Sequence, residues 1–189
     1  MMNYQEIAKK VLALGADRAG VVYVSEIEFE PSFRTLCEQN SCGMYGKSWM
    51  CPPYVGEYQD LIQKAREYEA AIVYQTIGRL EDSYDFEGMM QAGEKMNRLT
   101  QTIRLELNTL SGYETLFLGA GGCRVCTICA KAEEKPCRYP DQALASLEAY
   151  CINVSKLAPL AGMKYINGQD TVTYFGTVLL KRSVGACLK

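Results

Sequence analysis

Nine cysteines and no histidine stand in these 189 residues, and seven of the nine fall in two short stretches, 37–51 and 123–137. Without imidazole the chain cannot build a Ser-His-Asp triad, a Cys-His pair, a zinc site of mixed His and Cys ligands or a Rieske cluster. Any metal must be held by thiolates, with carboxylates as the available help. Proton transfer near neutral pH falls to Cys, Tyr, Lys or a shifted carboxylate. An odd cysteine count also argues against a disulfide framework. The opening residues 1–15 are amphipathic rather than a secretory leader, and no apolar run reaches the ~18–20 residues of a membrane span. A cytoplasmic setting, in which thiols stay reduced, is therefore expected, with no membrane partner.

The rest of the composition is ordinary. Apolar residues make up 48% and charged residues 22%, enough apolar material for a core without disulfides. A net charge of -2 and a pI near 5.4 imply no basic face, which speaks against a nucleic-acid partner. The length suits one domain, 1–189.

Periodicity divides the chain. Ile7, Val11 and Leu14 predict a helix over 3–14, ended by Gly15. The β-branched run 19–27 predicts a first strand. Residues 31–56, with Pro31, Pro52, Pro53 and three glycines, read as a long loop of the kind that is usually functional. A helix over 57–69 and a strand over 70–77 follow. Phe86, Met90, Gly93, Met96, Thr100, Ile103, Leu107 and Leu110 recur at helical spacing, and this methionine-bearing stripe is read as core packing. A short strand over 114–118 runs into Gly119-Ala-Gly-Gly122. After a second cysteine loop, 123–139, come a helical stretch over 141–150, a short helix over 153–161 interrupted at Pro159, and a last strand over 171–180. Gly176 inside that strand marks a bulge or a close backbone approach. The sum is an α/β (or α+β) fold, a mixed sheet of about four to five strands covered by helices with two long cysteine-bearing loops. If the first and third strands run parallel, both loops leave the same sheet edge, where ligands of open α/β sheets bind.

The second loop carries the sharper motif. Cys123, Cys126 and Cys129 have C-x2-C-x2-C spacing, which lets successive thiolates reach different irons of a cubane. Cys137 follows as a remote fourth ligand, with Pro140 after it as in ferredoxin runs. Amides of Gly119, Gly121 and Gly122 are placed to donate to cluster sulfurs. The competing readings are a four-thiolate zinc site, which usually presents two separated C-x2-C knuckles, and buried free cysteines.

The first loop holds Cys37, Cys42 and Cys51 at spacings that match no common zinc knuckle, together with the only tryptophan, Trp49. Three thiolates can hold a cubane with one iron left open to substrate, or Cys151 or Cys187 completes the set; the plain alternative is cysteines that pack a loop. Tyr45, Trp49 and Tyr54 are candidates to shield a cluster from water. Arg34, Lys47, Arg124 and Arg138 offset cluster charge, orient an anionic substrate or simply decorate the surface. The glycine run lacks G-x-G-x-x-G spacing, so dinucleotide binding is set aside, and Lys181-Arg182 is too short for a nucleic-acid patch.

These motifs carry a resemblance. Arg34-x2-Cys37-x4-Cys42-Gly43-x-Tyr45-Gly46-Lys47-x-Trp49-x-Cys51-Pro52-Pro53-x-Val55-Gly56 resembles the opening motif of a family of uncharacterised bacterial and archaeal proteins described as predicted metal-binding proteins. Gly119-Ala-Gly-Gly-Cys123-x2-Cys126-x2-Cys129, with Cys137-Arg138-x-Pro140, is similar to its later motif. The likeness spans most of the chain, including a Glu-bearing helix near Ser146-Leu-Glu148. It implies a thiolate metal site, often taken as iron–sulfur, in organisms with anaerobic metabolism, and it delivers no reaction. Cys151 departs from it, standing where such proteins more often carry glycine.

The sequence therefore leads to an iron–sulfur protein. Cys123, Cys126, Cys129 and Cys137 would hold a 4Fe-4S cluster, and Cys37, Cys42 and Cys51 a second metal centre. Its work would be electron transfer with a redox partner protein, or reductive activation of one. An enzyme with an open coordination position at the three-cysteine loop and a zinc-stabilised interaction module are the alternatives.

Overall fold

Asn3 opens the first helix, α1 (Tyr4–Ala13), with a capping box: its side chain accepts from the Glu6 N–H while the Glu6 carboxylate accepts from its own. Gly15, at φ +113°, turns the chain out of that helix into strand β1 (Arg18–Tyr23). The computed structural model describes residues 2–183. The remaining strands are β2 (Ala70–Arg79), β3 (Tyr113–Gly119), β4 (Ala145–Ser146) and β5 (Thr171–Arg182). The remaining helices are α2 (Ser32–Glu38), α3 (Tyr58–Arg66), α4 (Phe86–Leu107) and α5 (Val154–Leu160). All five strands form one sheet in the order β1-β2-β5-β3-β4, with only the β3–β4 pair parallel. The fold is α+β with a mixed sheet, as the sequence predicts.

Alternation along the strands gives the sheet two apolar faces. Ile72, Tyr74, Val178, Leu180 and Phe117 meet Ile7 and Val11 of α1 and Met96, Ile103 and Leu107 of α4. Val22, Ala71, Val73, Leu118, Phe175 and Leu179 face the other way, against Leu61 and Ala65 of α3 and Leu157 and Ala158 of α5. Each large side chain fully buried here contributes about 1.5–3 kcal/mol. Gly176 is a close approach rather than a bulge. The β2–β5 register runs unbroken from Ala70↔Leu180 to Arg79↔Thr171, and a Cβ at Gly176 would lie 2.5 Å from the ring of its cross-strand partner Tyr74. Tyr74 is fully buried, and its hydroxyl donates to Thr100 Oγ1 at 3.0 Å.

Several local expectations change. The first strand ends at Tyr23, where a 3-10 turn over Val24–Glu26 takes over. The 31–56 loop contains α2. Residues 141–150 are not a helix: β4 pairs with β3 (Leu118↔Ala145, Gly119↔Ser146), and a 3-10 turn follows at Glu148–Tyr150. Edge pairing there overrides an Ala- and Leu-rich local preference. On α4 the stripe is core only from Gly93 onward, while Phe86 and Met90 are exposed.

The largest change is direction. β1 and β5 run one way, and β2, β3 and β4 the other, so the first and third strands are opposed. The two cysteine loops still meet, because the chain after β1 crosses to the far edge of the sheet. There residues 28–30 bond to 151–153, just beyond β4: Glu30 N–H donates to the Cys151 carbonyl at 2.7 Å, and Asn153 N–H to that of Glu28 at 3.3 Å. β3 ends opposite Thr177, in mid-sheet, so the glycine run peels away where the first loop arrives. No helix among the described residues is long and apolar enough to cross a membrane.

Candidate metal centre

The first loop is built from tight turns. α2 presents Arg34 and Cys37 one turn apart, then Asn40 enters the left-handed region at φ +55° and its side chain accepts from the Tyr45 N–H at 3.0 Å. Gly46 N–H donates to the Pro52 carbonyl at 2.8 Å and Cys51 N–H to that of Ser48 at 3.2 Å, folding Cys42–Cys51 into a compact hook. In the second loop, Cys129 caps a 3-10 turn over Ala130–Glu133. Arg138 pins the loop by donating to the Ile128 carbonyl at 3.0 Å and to Glu133 at 3.3 Å.

Aromatic and cationic side chains fasten one loop to the other. Trp49 donates its indole N–H to the Lys135 carbonyl at 2.9 Å and meets Tyr54 edge-on at 5.3 Å. The Lys131 ammonium, buried and paired with Glu134, stands 4.1 Å from the Tyr54 ring centroid and 5.2 Å from that of Trp49.

The thiols gather along this seam. Cys123, Cys126, Cys129 and Cys137 line one narrow cavity, closed on its other side by Ser48, Trp49 and Met50 of the first loop. Cys42, Cys123, Cys126 and Cys129 also border a groove of about 780 Å³, walled by Asn97 and Arg98 of α4 and by Lys47 and Arg124. Cys51 lies just behind, its Sγ 3.4 Å from where a Cβ would stand on Gly122. Cys37, Cys42, Cys51, Cys123, Cys126, Cys129, Cys137 and Cys151 are all free thiols. Cys187 lies outside the described residues. No three Cys, Asp or Glu side chains among the described residues converge on a point suited to a single metal ion.

The environments differ. Burial pushes the Cys51 thiol up to about 11, helped by nearby Cys42, Cys37 and Cys123 and opposed by the Ser48 hydroxyl. Burial and Cys42 also raise Cys37, with Arg34 opposing. At Cys129 burial acts the same way but is outweighed: the N–H groups of Lys131 and Trp49, the Ser48 hydroxyl and the Arg138 charge hold this thiol below its ordinary range. Burial raises both Glu148 and Cys151, the latter offset by Arg34.

Arg34 tests what the first thiol set can accept. It is buried at 8% exposure, and its Nη2 donates to the Gly56 carbonyl. Its Nη1 has no partner, and no carboxylate pairs with it among the described residues. An unpaired buried guanidinium costs several kcal/mol. An anionic thiolate-held group at Cys37 would provide the missing charge, and an all-sulfur donor set suits such a group. The residues therefore fit.

Of the other candidates, Trp49 lines the thiol cavity, Tyr54 backs it, and Tyr45 borders neither space. Arg138 is committed to its own loop, while Lys47 and Arg124 face the groove. Two contributors escaped the sequence. Ser48 is fully buried with its hydroxyl in reach of both Cys51 and Cys129, so its single proton can go to a thiol of either loop, one at a time. Lys131 is the buried clamp. The only trace of either in the sequence is closeness to a cysteine, Ser48 three residues before Cys51 and Lys131 two after Cys129.

No curated protein and no solved structure matches the chain. A family model does, described as "Predicted metal-binding protein (DUF2284)" and covering residues 20–180, so the chain belongs to that family of predicted metal-binding proteins.

Proposed function

We propose that this protein is an iron–sulfur protein that passes electrons to or from a partner. The seven loop cysteines would serve two centres, grouped by sequence as Cys123, Cys126, Cys129 and Cys137 for a 4Fe-4S cluster and Cys37, Cys42 and Cys51 for the other. The observation that supports this is the seam itself, where thiols from two distant stretches adjoin behind aromatic cover, next to a buried cation that lacks a counter-ion. Bound there, iron and sulfide would supply one-electron chemistry. The chain's own part is to shield the site with Trp49, donate hydrogen bonds to sulfur from Ser48 and backbone amides, and offset negative charge with Arg34. The chain would act as one domain, 1–189, in a reducing cytoplasm and in anaerobic metabolism.

Anaerobic purification followed by iron, sulfide and zinc analysis tests the reading. Brown protein with matching iron and sulfide is the expected result. Colourless protein with stoichiometric zinc would replace it with a zinc-stabilised module that unfolds on chelation.

A further inference from the structure

The thiol cavity does not account for all the space around the second cysteine loop. On the side facing α4, a cleft of about 440 Å³ runs over the glycine run to Gln142 and Leu144. It shares Asn97, Arg98 and Arg124 with the larger groove, so the two are continuous. Cys123 is the only thiol that borders it among the described residues. Its size suits a small molecule.

The glycines clear its floor. A Cβ on Gly119 or Gly121 would meet no atom within 4 Å beyond its chain neighbours, whereas one on Gly122 would meet Cys51 Sγ and Met44. Gly122 thus turns to the thiol side, and the other two open onto the cleft. Residues 120–129 form bends but close no hydrogen-bonded turn. The N–H groups of Gly121, Gly122, Cys123 and Arg124 donate to no backbone carbonyl among the described residues. Successive amides left free in this way favour an anion.

The walls agree with the floor. Gln101 is fixed, its Oε1 accepting from Arg104 Nε at 2.9 Å and its Nε2 donating to the Gln142 carbonyl at 2.8 Å. That pair of bonds ties α4 to the chain beyond the second loop and gives the cleft a set end. Asn97 donates its Nδ2 to the Gly93 carbonyl at 3.1 Å, which leaves its Oδ1 to accept. No Asp or Glu lines the cleft among the described residues. Arg98 meets Glu94 only in an exposed contact at 3.5 Å, which holds it weakly. Arg124 has no carboxylate partner among the described residues.

We propose that this cleft binds a small polar molecule carrying a carboxylate or a phosphate. Its oxyanion lies against Arg124 and the glycine-run amides, and its hydroxyl or amide groups against Asn97 and Thr102. The proposal goes beyond the iron–sulfur reading and does not depend on it, because no sulfur ligand takes part.

Isothermal titration calorimetry tests it on the full chain, purified anaerobically and held at low salt, with glycerol phosphate, glycerate and glycerol as probes. One or both anions should bind at a single site, the tighter one naming the oxyanion, while glycerol should not bind. No anion binding, or glycerol binding as tightly, overturns the proposal. Arg124→Gln, at an exposed position, should weaken anion binding about tenfold or more. Unchanged affinity there refutes the site, whatever Gly119→Val does. Gly119→Val should abolish binding by filling the floor, and a β-branched residue suits the end of β3. Unchanged circular dichroism and metal content would show that this variant folds. Lys95→Gln removes an exposed cation outside the cleft and should have no effect; an equal loss would mean that overall charge, not the cleft, holds the anion. Iron, sulfide and zinc are measured on the same samples, so failure of the metal reading shows separately from failure of this one.

Discussion

The sheet face under α1 and α4 and the end carrying the cysteines are held together in different ways. The first is closed by fully buried Ile7, Val11, Ile103 and Leu107, every one at 0% exposure. The second has short elements, half-buried thiols, an uncompensated Arg34 and a carboxyl at Glu148 that burial drives toward its neutral form. Apolar burial is enough to hold the first. The second relies on contacts between loops, such as Lys131 over Trp49 and Tyr54, and on charge that the polypeptide alone does not balance. One region is a scaffold, and the other carries the candidate metal centre.

Metal removal should separate them most strongly. Chelation of loaded protein should speed amide exchange in residues 31–56 and 120–140 by ~100-fold or more while α4 and β5 change little. Uniform loss of protection would erase the distinction. Next in size, Ile103→Ala should cost about 2–5 kcal/mol by denaturant unfolding, equally with and without metal. A cost that depends on metal would mean that the scaffold and the site are coupled. Gly176→Ala should cost about 1–3 kcal/mol, because the new Cβ collides with the Tyr74 ring, and should leave thiol reactivity untouched.

The smallest effect is a titration. Folding raises the Cys51 thiol, so the folded metal-free chain binds more protons than the unfolded one across this range. The stability this gives is fully present below about 9 and lost as pH rises towards about 11. Metal-free protein should therefore weaken over that interval in pH-dependent unfolding, and Cys51→Ala should flatten the slope.

Long periodic segments were legible. The α4 pattern over 86–110 became Phe86–Leu107, and the apolar run over 171–180 became Thr171–Arg182. What escaped depends on contacts remote in sequence. Gln142-Ala-Leu-Ala-Ser-Leu-Glu-Ala has the composition of a helix, and only the open edge of β3 turns Ala145–Ser146 into a strand. α2 spans seven residues after a proline, too short for periodicity to reveal. Strand direction was set by the crossing from β1 to the far edge, which no local signal encodes. The thiols themselves were plain from spacing. Their neighbours Ser48 and Lys131 were not, because a lone serine or lysine reads as solvent-facing until the partner loop covers it.

The last strand has a consequence for biogenesis. β5 lies between β2 and β3, so until residues 171–182 have been synthesised, the sheet exists as two unconnected fragments. The β1–β2 fragment carries the first cysteine loop, and the β3–β4 fragment carries the second. Before Thr171 is made, the two fragments can meet through contacts outside the strands, such as the Phe29–Ile152 bridge and the Trp49–Lys135 hydrogen bond. The two cysteine loops are fixed on a single sheet only once the central strand has been translated.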